Sequence, residues 1–317
     1  MSSTAIAHPN IALVKYWGKR DRTLNLPAVP SLSVTLAPFQ TQTTVDWGVE
    51  SDHFVVNGEV ATGSDALRIS RFLELIDPDR PAVHIDSHNT FPTAAGLASS
   101  SSAFAALALA ATHAAGQSPT IESLSILARQ GSGSASRSLW GGFVTWNHGE
   151  QADGTDSHGA PVANEQHWDL RVLVALVSAE KKAISSRAGM NRTQETSPLF
   201  SGWVTSAEAD VREAETAVHT RDLERLGTVM EHSTMKMVGT MFSAQPAVVY
   251  MKPATVAVLH AVQELRATGI PAWATMDAGP NVKVLTTPEA APKVHAALSA
   301  HVDTVHTLHV GGPARIV

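Results

Sequence analysis

The chain has 317 residues, of which 44% are hydrophobic and 16% charged, with a formal net charge of −6 and no cysteine. That length predicts about two domains, each with enough chain for a real core, and the missing cysteine excludes disulfides, thiolate metal sites and cysteine nucleophiles. The acidic balance argues against a nucleic-acid partner. No apolar run is long enough to span a bilayer, and the first seven residues lack the basic and apolar regions of a signal peptide. The expectation is a soluble cytoplasmic protein.

In chain order, the segment from His8 to Asp21 reads as a short apolar strand running into aromatic and basic residues, with Lys15, Lys19, Arg20 and Arg22 within eight positions. Residues 32–36 and 43–47 have the β-branched look of strands, and 54–60 reads as a hairpin turning on Asn57-Gly58. A helix is predicted over 66–76, ending before Asp77-Pro78, and a strand over 83–87. A loop of small residues, 92–103, then opens an alanine- and leucine-rich helix that ends near Gly116. An amphipathic helix leads into the small-residue segment from Gly131 to Gly142. The polar stretch 147–166 separates the halves, giving domains 1–168 and 169–317. Beyond it come a strand over 170–177, helices over 203–219, 221–236, 253–268 and 288–300, and strands over 272–276, 282–285 and 304–310.

Four places carry chemistry. The loop from Pro92 to Ser102 ends at a helix N-terminus, where free N–H groups and the dipole suit a phosphate. Capping serines would fit the same string, and the Gly-Lys-Ser/Thr ending of an ordinary phosphate loop is absent. Lys15, Lys19, Arg20 and Arg22 cluster on an otherwise acidic chain, which suits a phosphorylated substrate or a solvated basic turn. Arg137 can hold a carboxylate in its bidentate fork, or cap a helix facing solvent. Asp277 stands at a strand end before Ala-Gly-Pro, where an aspartate often accepts from the backbone two residues on. The fifteen histidines show no metal-ligand spacing.

Pro92-x-x-x-Gly96-Leu97-x-Ser99-Ser100 resembles the ATP loop of the galactokinase, homoserine kinase, mevalonate kinase and phosphomevalonate kinase (GHMP) superfamily. The longer string from Asn89 to Ser100 resembles that of mevalonate diphosphate decarboxylases. So do Pro9-Asn10-Ile-Ala-x-x-Lys15-Tyr16-Trp17-Gly18-Lys19-Arg20-Asp21, the Ser31-Leu-Ser-Val-Thr-Leu strand, Gly131-Ser-Gly-Ser134-Ala-Ser136-Arg137, Ser185-Ser186-Arg187, and Met276-Asp277-Ala-Gly-Pro-Asn281-Val. The chain departs from the family's usual pattern at Pro30, Ser101, Ser102, Ser136 and Ala188.

The resemblance implies an α+β two-domain GHMP-kinase-like fold, with an N-terminal α/β (ribosomal-protein-S5-domain-2-like) half and a C-terminal ferredoxin-like half. It implies ATP-dependent decarboxylation of mevalonate 5-diphosphate to isopentenyl diphosphate through phosphorylation of the C3 hydroxyl, by a homodimer. Asp277, Lys15 and Arg137 would be catalytic, and Tyr16, Lys19, Ser134, Ser186 and Arg187 would bind the substrate. Pro92, Ala95, Gly96, Leu97, Ala98, Ser99, Ser100 and Ser101 would hold ATP, with Mg²⁺ on Ser99 or Ser100. The alternatives are a sister decarboxylase or kinase acting on mevalonate 5-phosphate or mevalonate, and a silent sensor that binds ATP or isoprenoid phosphates.

Overall fold

The computed structural model describes residues 1–91, 99–180 and 182–317. Two large sheets and the helices packed on them form an α+β molecule. The first sheet has six strands in the order Arg315–Ile316, Ser2–Ala7, Thr41–Trp47, Val83–Asn89, His53–Val56 and Glu59–Val60. His53–Val56 and Glu59–Val60 are the expected hairpin, with Asn57 and Gly58 both at positive φ (52° and 81°), as a two-residue hairpin turn requires. The helix Gly63–Glu74 follows it.

The helix Ser99–Ala114 lies against Ser2–Ala7 and Thr41–Trp47. Ala105, Ala106, Ala108, Ala110 and Ala111 have no exposed surface, and a helix apolar on nearly every side belongs in a core. It starts earlier than expected, because Ser99–Ser102 form its first turn and are not part of the preceding loop. Ser101 and Ser102 are fully buried there. The Ser102 hydroxyl meets Thr41 Oγ1 at 2.6 Å, and Ser101 Oγ lies 3.5 Å from the backbone N–H of Asn10. Such partners let a serine occupy a core position.

The second sheet has eight strands, ordered Gly159–Ala163, Phe143–Trp146, Ser31–Ala37, Val305–Val310, Arg171–Ala175, Val282–Thr286 and Ala272–Met276, with Asn10–Val14 pairing beside Ser31–Ala37. Every residue of Ser31–Ala37 is buried. This strand joins the two halves of the chain, through Phe143–Trp146 on one side and the register His309↔Ala37 and Val310↔Leu36 on the other. Helices Phe200–Thr220 and Leu223–Phe242 pack on each other; the first also covers Asn10–Val14 and Ser31–Ala37, and the second Ala272–Met276. One apolar cluster accordingly mixes Ile11, Leu32 and Phe143 with Val211, Met230 and Trp273. The pattern reading did not pick out Ser2–Ala7, Gly159–Ala163, Arg315–Ile316 or the helix Ser186–Thr196, all short or polar segments that depend on neighbours distant in sequence.

Candidate active site

The site forms where Asn10–Val14, the 3₁₀ turn Gly133–Arg137 and the hairpin between Ala272–Met276 and Val282–Thr286 converge. Asp277 follows the last residue of its strand. Its backbone carbonyl accepts from the Gly279 N–H at 2.8 Å, so the turn closes without the side chain. The carboxylate instead takes two ammonium groups, Lys15 Nζ on Oδ1 at 3.0 Å and Lys283 Nζ on Oδ2 at 3.3 Å. Both lysines are 1% exposed, against 30% for the aspartate side chain. Burial alone would raise the Asp277 proton affinity, but Lys15 first and then Lys283 outweigh it and hold the carboxyl well below the usual carboxylate range. Lys15 Nζ also donates to Ala12 O at 2.7 Å. Burial pushes Lys15 down to about 8, against the pull of Asp277.

Arg137 is buried, and no carboxylate pairs with it directly among the described residues. Its guanidinium donates to Ser31 Oγ at 2.5 Å and to Asn10 Oδ1 at 3.2 and 3.4 Å, and it lies 5.7 Å from the centre of the Trp146 ring. Asn10 is fixed in turn by donating to Ser134 O and Ser138 Oγ. Burial lowers Arg137 to about 10, opposed by the field of Asp277. Arg137 therefore faces inward, contrary to the solvent-facing cap that spacing allowed. A buried cation held by neutral oxygens is a ready acceptor for an incoming anion.

Tyr16 packs its ring on Trp146, with centroids 4.7 Å apart, and its hydroxyl is buried without a hydrogen-bond partner among the described residues. Burial raises that phenol well above its ordinary value, against Arg137 and Arg187. Lys19 Nζ donates to Asn25 Oδ1 at 2.5 Å, and burial, then the fields of Arg187, Arg68 and Arg22, push it to about 8. Gly133 permits this packing, since a Cβ there would stand 2.8 Å from the Tyr16 hydroxyl and 2.9 Å from the Trp146 ring. Ser186 and exposed Arg187 open the helix Ser186–Thr196, which Ser185 caps by accepting from the Ala188 N–H. Two buried lysines thus hold the Asp277 carboxylate, buried Arg137 stands within its field, and more positive charge lies nearby. Such a site is built for an anion carrying several charges.

Residues 7–159 match the family described as diphosphomevalonate decarboxylase-like N-terminal domain, and residues 172–310 match the mevalonate 5-diphosphate decarboxylase C-terminal domain. The chain belongs to the mevalonate diphosphate decarboxylase family. A diphosphomevalonate decarboxylase of Ganoderma lucidum is 39% identical over 321 residues, covering 92% of this chain and 79% of that one. The crystal structure of mevalonate diphosphate decarboxylase from Staphylococcus aureus superposes with a TM-score of 0.94 at 36% identity, over 100% of this chain and 98% of that one. MDDEF in complex with MVAPP, AMPPCP and magnesium gives 0.93 at 39% identity, over 100% and 99%.

Among the decarboxylase positions expected from sequence, Lys15, Asp277, Arg137 and Tyr16 come together at the centre. Lys19, Ser186 and Arg187 lie to one side, and half-buried Ser134 approaches Ser132 Oγ at 3.4 Å. Ser99 and Ser100 are half-buried in the first turn of their helix, with Ser100 Oγ 3.0 Å from Ser132 Oγ. Pro92, Ala95, Gly96, Leu97 and Ala98 fall outside the described residues. Sequence reasoning passed over Asn10 and Ser31, which stand inside quoted motifs, and Lys283, which directly follows the Met276–Val282 motif. A lysine flanked by Val282, Val284 and Leu285 was the available signal for Lys283. Lys182 was also missed; its Nζ donates to Ala278 O at 2.6 Å and to Ser186 Oγ at 2.9 Å.

Proposed function

We propose that this decarboxylase converts mevalonate 5-diphosphate and ATP to isopentenyl diphosphate, ADP, phosphate and CO₂. The observation that carries the reading is the carboxylate of Asp277 held between Lys15 and Lys283 beside the inward-facing Arg137. Arg137 and Asn10 fix the C1 carboxylate, while Tyr16, Lys19, Ser134, Ser186 and Arg187 take the diphosphate. ATP, the co-substrate, lies over the segment from Pro92 to Ser101.

Asp277 accepts a hydrogen bond from the C3 hydroxyl and aims its oxygen at the γ-phosphoryl group. As the C3 oxygen bonds to the γ-phosphorus and ADP leaves, the hydroxyl proton passes to Asp277, which also orients the hydroxyl. Phosphoryl transfer rests mainly on positioning and charge neutralisation, which this site supplies. Lys15 then turns toward the transferred phosphate. The C3–O bond breaks as phosphate leaves, and the C1–C2 electron pair becomes the alkene as CO₂ departs. Arg137 must orient the carboxylate without holding it more tightly in the ground state than in the transition state.

Ser99 and Ser100, half-buried in the first turn of their helix, would offer hydroxyls to Mg²⁺, which takes few protein ligands and would keep phosphate oxygens and water. When bound it supplies charge neutralisation on the phosphates. The finer architecture follows the same reading: domains 1–168 and 169–317, ribosomal-protein-like and ferredoxin-like respectively, in a cytoplasmic homodimer. The test is release of ADP and CO₂ with ATP, Mg²⁺ and each of mevalonate 5-diphosphate, mevalonate 5-phosphate and mevalonate. Both products from the diphosphate support the reading. Preference for the monophosphate points to a sister activity, and ADP without CO₂ to a kinase.

A further inference from the structure

A lysine in the middle of an interior strand needs a reason. Lys283 is paired in register with Val174 on one side and Thr275 on the other, and its neighbours Val282, Val284 and Leu285 are core residues. Lysine is almost never fully buried unless paired, and here the ammonium reaches Asp277 Oδ2. The two residues close the same hairpin, so their separation is set by a ladder bonded on both edges. Lys15 is placed differently: it stands just past the end of Asn10–Val14, and its ammonium is shared between Asp277 and Ala12 O.

We infer that Lys283 is a positioning residue for the decarboxylation, keeping Asp277 ionised and aimed when Lys15 turns to the phosphoryl group. The inference rests on the functional reading above and adds a division of labour between the two lysines. With Lys15 engaged by phosphate, one oxygen of Asp277 loses its cation while the other keeps Lys283. Among the described residues, the other charged groups facing Asp277 are Arg137 from the 3₁₀ turn and Lys182 from the segment before Ser186–Thr196. Neither makes a hydrogen bond to it.

Lys283→Met and Lys283→Arg test this in the full chain, from the pH dependence of kcat with mevalonate 5-diphosphate and ATP. Losing an adjacent cation raises a carboxylate's pKa by about 1–3 units. The acid limb of Lys283→Met should therefore move to higher pH by at least one unit, with kcat at neutral pH down about tenfold and KM changed less than about threefold. Lys283→Arg should return the limb toward its wild-type position. A Lys283→Met enzyme slowed equally at all pH values, with the limb unmoved, would overturn the inference and leave Lys283 a packing residue. If the wild-type chain releases neither product, the functional reading fails instead. The pair is still tested by thermal melting of Asp277→Asn, Lys283→Met and the double variant. A double variant at least as stable as the less stable single one, with clear non-additivity, supports the coupling; additive losses refute it.

Discussion

Two ammonium groups on Asp277 set the chemistry open to that carboxylate. Substitution to Asn keeps the shape but leaves Lys15 and Lys283 without their counter-charge and, on the proposed mechanism, removes the acceptor for the C3 hydroxyl proton. Asp277→Asn should lower kcat by at least the ~10²–10⁴-fold typical of a lost acid–base group, measured as ADP release. Turnover within a few-fold of wild type would remove Asp277 from the reaction. Lys15 and Lys19 set the other limb. Both are pushed to about 8, so their charged, phosphate-attracting forms predominate below that pH and are lost as pH rises through it. In the free enzyme, kcat/KM for the diphosphate should therefore fall above about pH 8. In kcat the same limb should lie higher, because bound phosphate favours the charged lysines. A flat kcat/KM profile up to pH 9.5 would contradict the burial of these lysines. At this scale the motif residues Lys15, Arg137 and Asp277 were legible, because each is a charged side chain among small or apolar neighbours. Asn10 and Ser31 were not, since an Asn or Ser in a strand is ordinary until something buried is seen bonding to it.

At the level of elements, the edge strand Ala272–Met276 matters because it delivers Asp277. Its exposed side is guarded by Glu231, whose Oε1 accepts both the Ala274 N–H and Arg266, while Arg266 also reaches Ala272 O. A cavity of about 630 Å³ lined by Glu231, Arg266 and Trp273 lies here, with none of Lys15, Arg137 and Asp277 in its lining. Its polar groups cover a strand edge that would otherwise invite pairing. The helix Leu223–Phe242 comes close through Gly227, where a Cβ would meet the Trp273 ring at 2.2 Å. Gly227→Ala gains helix propensity of up to ~1 kcal/mol but overpacks the contact at a cost of about 1–3 kcal/mol. A lower urea midpoint is expected; a higher one would mean that the ring moves away freely. Helix periodicity announced most of this helix, expected over 221–236 and extending to Phe242, and Asp222 caps it by accepting from the Arg225 N–H. The packing partner was not legible, because one glycine in a helical pattern does not say what lies against it.

For the whole molecule, both chain ends meet on the first sheet. Ala5 and Ile6 pair with Ile316 and Arg315, the Val317 N–H donates to Thr4 O, and the Ala314 N–H donates to Leu139 O. Removing residues 312–317 strips these bonds, each worth about 0.5–1.5 kcal/mol net. A stability loss on the order of 2 kcal/mol should follow, with faster amide exchange along Ser2–Ala7 and kcat nearly unchanged. Unaltered exchange there would show that the C-terminal strand contributes nothing to the edge. The second sheet crosses the halves in the same way, through Ser31–Ala37 and Val305–Val310. The hydrophobic strand patterns indicated that these segments were strands, and left open which strands they would join.

Local pattern and residue type, by themselves, determined the main helices and strands, the Asn57-Gly58 turn and the charged residues that meet at the site, because propensity, turn conformation and side-chain chemistry act over a few residues. Tertiary structure alone decided that Lys15 and Asp277, 262 positions apart, share a hydrogen bond, that Lys283 completes the pair, and that Arg137 turns inward to Asn10. Desolvation and Coulomb attraction depend on distance and burial in space, so a proton affinity or an ion pair exists only once the fold has brought its partners together.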